Sequence, residues 1–185
     1  MCGGSARRFG ADKLLAGAEP IAVRAARNLL AVVGQVLAVV PPGHAALSRA
    51  LEAAGCRMLE TDRTALGMGS SLAAAVEASI TADGWIVALG DMPAIAPQTL
   101  GEVRQALIAG ASIAAPFDAQ GRRGHPVAFA AALRDELLAL RGDSGAREIL
   151  ARHMAQITRV VSDDPGIFVD IDTADDLRRL ESGAT

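Results

Sequence analysis

Short apolar runs alternate with segments of helical spacing along this chain, and that alternation constrains its fold more than any other feature. Val36–Val40 is an unbroken apolar run bounded by Gly34 and by Pro41-Pro42. Such a run suits a strand buried on both faces. Gly84–Leu89 is a second, and it leads into Gly90-Asp91-Met92-Pro93. Between them, Leu47, Leu51 and Ala54 recur at helical spacing before Gly55. The pattern predicts helices over 20–33, 44–54, 71–82, 98–109, 131–140, 144–154 and 173–182. It predicts strands over 36–40, 56–60, 84–89, 112–116, 126–129, 157–162 and 167–171. An α/β domain with a mainly parallel sheet follows. At 185 residues the chain is read as one domain spanning 1–185.

Composition narrows the function classes. Lys+Arg is 18 against Asp+Glu 21, a formal charge of −3, so no basic excess speaks for nucleic acid. Four Phe, one Trp and no Tyr leave little for base stacking. Cys2 and Cys56 are too few for a disulfide framework or a four-cysteine zinc site. No apolar stretch follows the early positive charges, and Val36–Val40 is far too short to cross a bilayer. The expectation is a soluble cytoplasmic protein with no nucleic-acid or membrane partner. Lys13 is the only lysine, which singles it out as a compact point charge.

In a parallel α/β sheet the ligand lies beyond the carboxyl ends of the strands. Five stretches are placed for that. Gly3-Gly4-Ser5 through Arg8 to Lys13 combines glycines, whose N–H groups can curl around a phosphate, with two fixed cations. It contains neither a Gly-Lys-Ser/Thr P-loop nor Gly-x-Gly-x-x-Gly. A flexible basic N-terminus is the plain reading. Asp91 ends a buried strand, where it can hold Mg²⁺ or simply close a turn. Arg122, Arg123 and His125 lie in a Gly-rich loop that can bind an anion or be solvated surface. Asp143 or Ser144 suits a helix N-cap, with anion binding secondary. Asp170 and Asp172 alternate, so on a strand they share one face. They could supply a second metal ligand, and Asp172 or Thr173 can cap the last helix; capping is the expectation for Asp172 and a metal role is open for Asp170.

Together these stretches resemble the molybdenum-cofactor nucleotidyltransferases. The opening from Met1 to Lys13 is similar to their Gly-rich pattern that ends in Lys. Gly67-Met68-Gly69-Ser70-Ser71-Leu72, Gly90-Asp91-Met92-Pro93 and Asp170-Ile171-Asp172-Thr173 also resemble family motifs. Lys13-Leu14-Leu15, Gly121-Arg122-Arg123-Gly124-His125-Pro126-Val127 and Gly142-Asp143-Ser144-Gly145-Ala146-Arg147 lean toward the cytidylyltransferase branch. The resemblance implies a Rossmann-like, three-layer α/β/α nucleotidyltransferase fold. It implies transfer of CMP from CTP to the phosphate of molybdopterin, with Mg²⁺ and release of pyrophosphate. A molybdenum hydroxylase would receive the product.

Residue by residue, the resemblance places Gly3, Gly4, Ser5, Arg8, Lys13, Gly67 and Asp91 on the nucleotide. Arg8, Lys13 and Asp91 would carry catalysis, and Asp91 with Asp170 the metal. Arg122, Arg123 and His125 would face the acceptor. Asp62, Arg63 and the backbone near Gly67 are candidates for selecting cytosine. Three departures stand out. Met1 begins almost at the Gly-rich loop, so the first strand is expected to be truncated, which we read as a start codon placed too late. Ala6 replaces a frequent Ser, and Ala174 a usual Pro. Rival readings are a transferase using GTP or a sugar phosphate, or a non-catalytic cofactor carrier or chaperone. No dinucleotide fingerprint supports an oxidoreductase.

Overall fold

In the computed structural model, residues 13–183 are described, and they form a layered α/β structure. The elements run α1 (Ile21–Leu30), β1 (Leu37–Val40), α2 (Ala45–Ala53), β2 (Arg57–Glu60), α3 (Met68–Ala78), β3 (Gly84–Val87) and α4 (Pro97–Ile108). Then come β4 (Ile113–Phe117), β5 (Val127–Ala130), α5 (Arg134–Leu138), α6 (Arg147–Arg152), β6 (Ile157–Val161) and α7 (Ala174–Glu181).

β1 and β2 pair in parallel, and β3, β5, β4 and β6 form a second sheet in that order. β5 is antiparallel to both β3 and β4, while β6 is parallel to β4. Thus β3, β4 and β6 run one way and β5 alone is reversed. Residues 118–126 join β4 directly to its neighbour β5, and a short link with no helix permits only antiparallel pairing. The sheets are therefore mainly parallel, as expected.

Alternation along the strands sends side chains to two helical layers. Ile113, Ala115, Val127 and Phe129 pack with Leu72 and Val76 of α3, Leu137 of α5 and Ile149 of α6. Ala114 and Ala128 point the other way, onto Val103 of α4. On α1, Ala22, Ala26 and Leu29 recur at helical spacing and bury against β1, α2 and α4. This is the three-layer arrangement expected from the resemblance.

The boundaries show where local chemistry overrides periodicity. No strand forms over 167–171; Pro165–Phe168 is a 3₁₀ turn. Pro165 has no N–H to give a ladder, and Asp164 accepts from the Gly166 N–H, which closes a turn instead. The helix expected over 131–140 is a 3₁₀ turn, Ala131–Leu133, followed by the short α5. The helix expected over 144–154 is reduced to α6 and a 3₁₀ turn at Met154–Gln156. A 3₁₀ turn over Asp62–Leu66 was not foreseen. The expected truncation of a first strand falls in residues 1–12, outside the described residues.

Candidate active site

The Lys13 ammonium bridges two carboxylates, one from the middle of the chain and one from near its C-terminus. Its Nζ donates to Asp91 Oδ2 at 3.0 Å and to Asp172 Oδ1 at 3.0 Å. The Lys13 side chain is only 12% exposed, against 29% for Asp91 and 52% for Asp172. Burial pulls the ammonium down, but hydrogen bonds and charge from Asp91 and Asp172 outweigh it, so its pKa is raised. Lys13 therefore keeps its charge through neutral pH and gives it up only in base, above the ordinary lysine value of 10.5.

Several main-chain ties hold this cluster. Asp91 lies just past β3, in a loop whose Met92 and Ile95 are buried. From α1, Asn28 Nδ2 donates to Pro93 O at 3.1 Å and Ile95 O at 3.0 Å. The Ile171 N–H donates to Asp91 O at 2.9 Å, which fastens the C-terminal segment beside Asp91. Asp164 fixes the start of that segment: its Oδ2 accepts from Ala96 N at 2.8 Å and Thr99 Oγ1 at 2.9 Å. Thr173 caps α7 in a capping box with Asp176, so Asp172 is not the cap. Asp172 is free to face Lys13, while no hydrogen bond joins Asp170 to Lys13 among the described residues. Without a strand at 167–171, the shared-face argument for Asp170 and Asp172 also lapses.

His125 belongs to the same crevice. Burial first, then the charge of Arg123, push its pKa down, while Asp91 and Asp170 push it up; the net shift is downward. Its Nδ1 is buried without a hydrogen-bond partner among the described residues. The backbone is fixed by His125 N donating to Ile167 O at 3.0 Å, and the His125–Pro126 bond is cis. Gly124 is required there, because a Cβ would lie 2.6 Å from the Ile167 side chain. Arg122 is committed elsewhere: its Nε donates to Asp118 Oδ2 at 2.6 Å, and its guanidinium covers the Phe168 ring. Arg123 makes no side-chain hydrogen bond or ion pair among the described residues.

Gly67 opens α3 with φ +103, and a Cβ there would lie 2.6 Å from Gly142. The loop 141–145 covers this helix start. Gly69 N donates to Gly142 O at 2.8 Å and Met68 N to Asp143 Oδ1 at 3.4 Å. Asp143 thus serves α3, not the helix that follows it; α6 has no side-chain cap. Arg63 pairs with Glu77 at the surface, at 2.6 Å.

The structure therefore brings Lys13, Asp91 and His125 to one crevice, with Gly67 on a separate loop. Gly3, Gly4, Ser5 and Arg8 lie outside the described residues. Asn28 and Asp164 were missed as site-building residues, while Asp172, for which capping was the expectation, faces Lys13 instead. An asparagine inside the amphipathic α1 and the Asp-Pro-Gly of 164–166 were the available signals. Two carboxylates reaching one cation are hard oxygen donors. That set fits a small divalent ion, which binds through one or two carboxylates plus substrate phosphates. Among the described residues no cluster of three or more His, Cys, Asp or Glu forms a complete cage.

Comparison with known proteins shows the family. A family model described as the MobA-like NTP transferase domain matches residues 1–157. The chain belongs to that family. A structure of Rv0371c from Mycobacterium tuberculosis H37Rv superposes with a TM-score of 0.80 at 24% identity, covering 98% of this chain and 95% of that one. A homologue from Mycobacterium sp. strain JC1 gives 0.80 at 26%, covering 98% and 92%. Rv0371c in complex with manganese gives 0.73 at 26%, covering 94% and 92%. Nicotine blue oxidoreductase of Paenarthrobacter nicotinovorans is 31% identical over 120 residues, which is 62% of this chain and 59% of that protein. The chain thus spans less than two thirds of that curated relative. No described helix of this MobA-like protein is long and apolar enough to cross a membrane.

Proposed function

We infer that this MobA-like protein transfers CMP from CTP to the phosphate of a molybdopterin-type cofactor, with release of pyrophosphate. The Lys13–Asp91–Asp172 cluster carries the reading. An acceptor phosphate oxygen attacks the α-phosphorus in line, and the bond to the bridging oxygen of pyrophosphate breaks. Charge grows on the non-bridging and leaving oxygens, so positioned cations do most of the catalysis. Lys13 supplies one of them, turning from its carboxylates to the triphosphate. Asp91 and Asp172 would hold Mg²⁺, which would neutralise phosphate charge; the manganese complex of the mycobacterial relative supports a divalent ion here. Gly3, Gly4, Ser5 and Arg8 cradle the triphosphate, and Gly67 lies by the base. Arg123 and His125 receive the acceptor, with Arg122 setting their loop. A CTP complex of a CMP-transferring synthetase shares the fold, at TM-score 0.73 and 15% identity.

The test is pyrophosphate release with molybdenum-loaded molybdopterin and CTP, GTP, ATP or UTP in turn. Release with CTP alone is expected. Release with GTP alone would move the chain to a guanylyl branch. The curated relative named for oxidation and reduction favours a second reading, a redox role for the same domain. Substrate-dependent oxidation of a nicotinamide cofactor, with no pyrophosphate from any nucleotide, would establish it instead.

A further inference from the structure

β6 (Ile157–Val161) is the outer strand of its sheet: it pairs with β4 alone, and no strand lies beyond it among the described residues. Ser162 N donates to Phe117 O at 2.9 Å, which sets the alternation along the strand. Thr158 and Val160, in phase with Ser162, turn their N–H and C=O groups to β4. Ile157, Arg159 and Val161 turn theirs outward. The edge carries none of the usual guards against pairing, for Ile157–Val161 has no proline, no lysine and no bulge in its register. Its one charge is turned aside. The Arg159 guanidinium lies over the Phe117 ring of β4, at 4.4 Å, and donates to Gly121 O at 3.3 Å.

The symmetry of this edge decides what it fits. Val161 and Met154 are the two most exposed large apolar side chains among the described residues, at 74% and 70%. Met154 stands just before the strand and Val161 at its end. Charge is divided in the same way. Arg152 precedes the strand, its side chain 59% exposed beside Glu136, and the exposed Asp163 follows it. In an antiparallel pair of two such strands, the beginning of each meets the end of the other. The Met154 end then lies against the partner's Val161, and the Arg152 end against the partner's Asp163. A two-fold axis at Arg159 sets Ile157 opposite the partner's Val161 and Arg159 opposite the partner's Arg159, each pair exchanging both main-chain bonds. Thr158 falls opposite the partner's Val160, a β-branched pair. The two guanidiniums are drawn back over their own Phe117 rings, so like charges do not face each other across the axis. A peptide of unrelated sequence would satisfy the outward N–H and C=O groups but match neither end.

We propose that the outer edge of β6 is a homodimer interface: two copies of this chain pair antiparallel about Arg159, and their four-stranded sheets run on as one. The contact is isologous and closes on itself, so it stops at two copies. It does not depend on the reaction assigned to the Asp91 crevice.

Sedimentation of the full chain from micromolar to millimolar concentration should show a reversible monomer–dimer equilibrium and nothing larger. Amide exchange reads the register. The Ile157, Arg159 and Val161 N–H groups should exchange more slowly as the dimer fills, while those of Thr158 and Val160 are protected at every concentration. Val161→Lys puts a guard charge on the edge and should weaken dimerisation by about tenfold or more. Arg159→Pro removes the outward N–H at the axis, leaves the β4 ladder its donors, and should abolish the dimer. Should the proline variant fail to fold, Val161→Lys decides. Leu66→Lys, at another exposed apolar residue on the 3₁₀ turn before α3, should leave the dimer unchanged. A monomer at every concentration would overturn the proposal. So would a dimer that survives Val161→Lys, one lost equally in Leu66→Lys, or one in which the Ile157, Arg159 and Val161 amides exchange as fast as in the monomer.

Discussion

The two sides of the Asp91 crevice are charged in contrasting ways. On one side the Lys13 charge is matched by Asp91 and Asp172, each at 3.0 Å. On the other, Arg123 has no anionic partner among the described residues, and His125 is held toward its neutral form. The matched side is a set of exchangeable charges. Asp91 and Asp172 would hold a divalent ion, and Lys13 would then turn to phosphate. The unmatched side has a cation with no anionic partner among the described residues, and an incoming anion is favoured there. In the proposed reaction the first side serves the triphosphate and the second the acceptor.

Breaking the matched side should have the largest effect. Asp91→Ala should lower metal-dependent turnover by about 10³-fold, with the circular dichroism spectrum unchanged. Turnover within a few-fold of the parent would remove Asp91 from the reaction. Lys13→Ala should lower kcat by about 10²-fold and change the KM for CTP far less, because its charge counts most in the transition state. A change in KM alone would make it a binding group only.

The next contrast sharpens the metal assignment. Asp172→Asn should weaken apparent Mn²⁺ affinity about tenfold, measured by titration with CTP present. Asp170→Asn should leave it within about twofold of the parent. The reverse order would restore Asp170 as the ligand. Asp164→Ala tests the scaffold instead. It strands the Ala96 and Gly166 N–H groups and leaves the Thr99 hydroxyl only Ser162, and it should cost about 1–3 kcal/mol in denaturant unfolding.

The smallest effect concerns the unmatched side. The folded pKa of His125 lies below its ordinary 6.5, so the unfolded chain binds that proton more readily. Its contribution to stability is therefore full above about pH 6.5 and falls away as the pH drops below it. His125→Gln should flatten that decline in a pH series of thermal melts. An unchanged slope would contradict the assigned protonation state.

Much of this was legible in residue order. Val36–Val40 and the run from Gly84 announced strands because each is an unbroken apolar stretch bounded by Gly or Pro, and β1 and β3 lie within them. The isolated Lys13 and the post-strand Asp91 announced the cluster, because lysine is otherwise absent. The partner of Lys13 was not legible. Which of Asp170 and Asp172 reaches it depends on a turn at Pro165–Phe168, where side-chain bonding from Asp164 overrides a β-branched run. The duty of Asp143 was hidden for a related reason: it caps a helix start 75 residues earlier, and no local pattern encodes such a pairing. Asn28 was hidden as well, since its two acceptors are carbonyls of a loop about 65 residues onward.

The most direct test of the central claim follows two labels on CTP in the presence of Mg²⁺ and molybdenum-loaded molybdopterin. Label on the α-phosphate should appear in the cofactor product, and label on the γ-phosphate should leave in pyrophosphate, both in the parent and neither in Asp91→Ala. Label from the γ-phosphate in the cofactor product, or no transfer of either by folded, CTP-binding protein, would contradict the account.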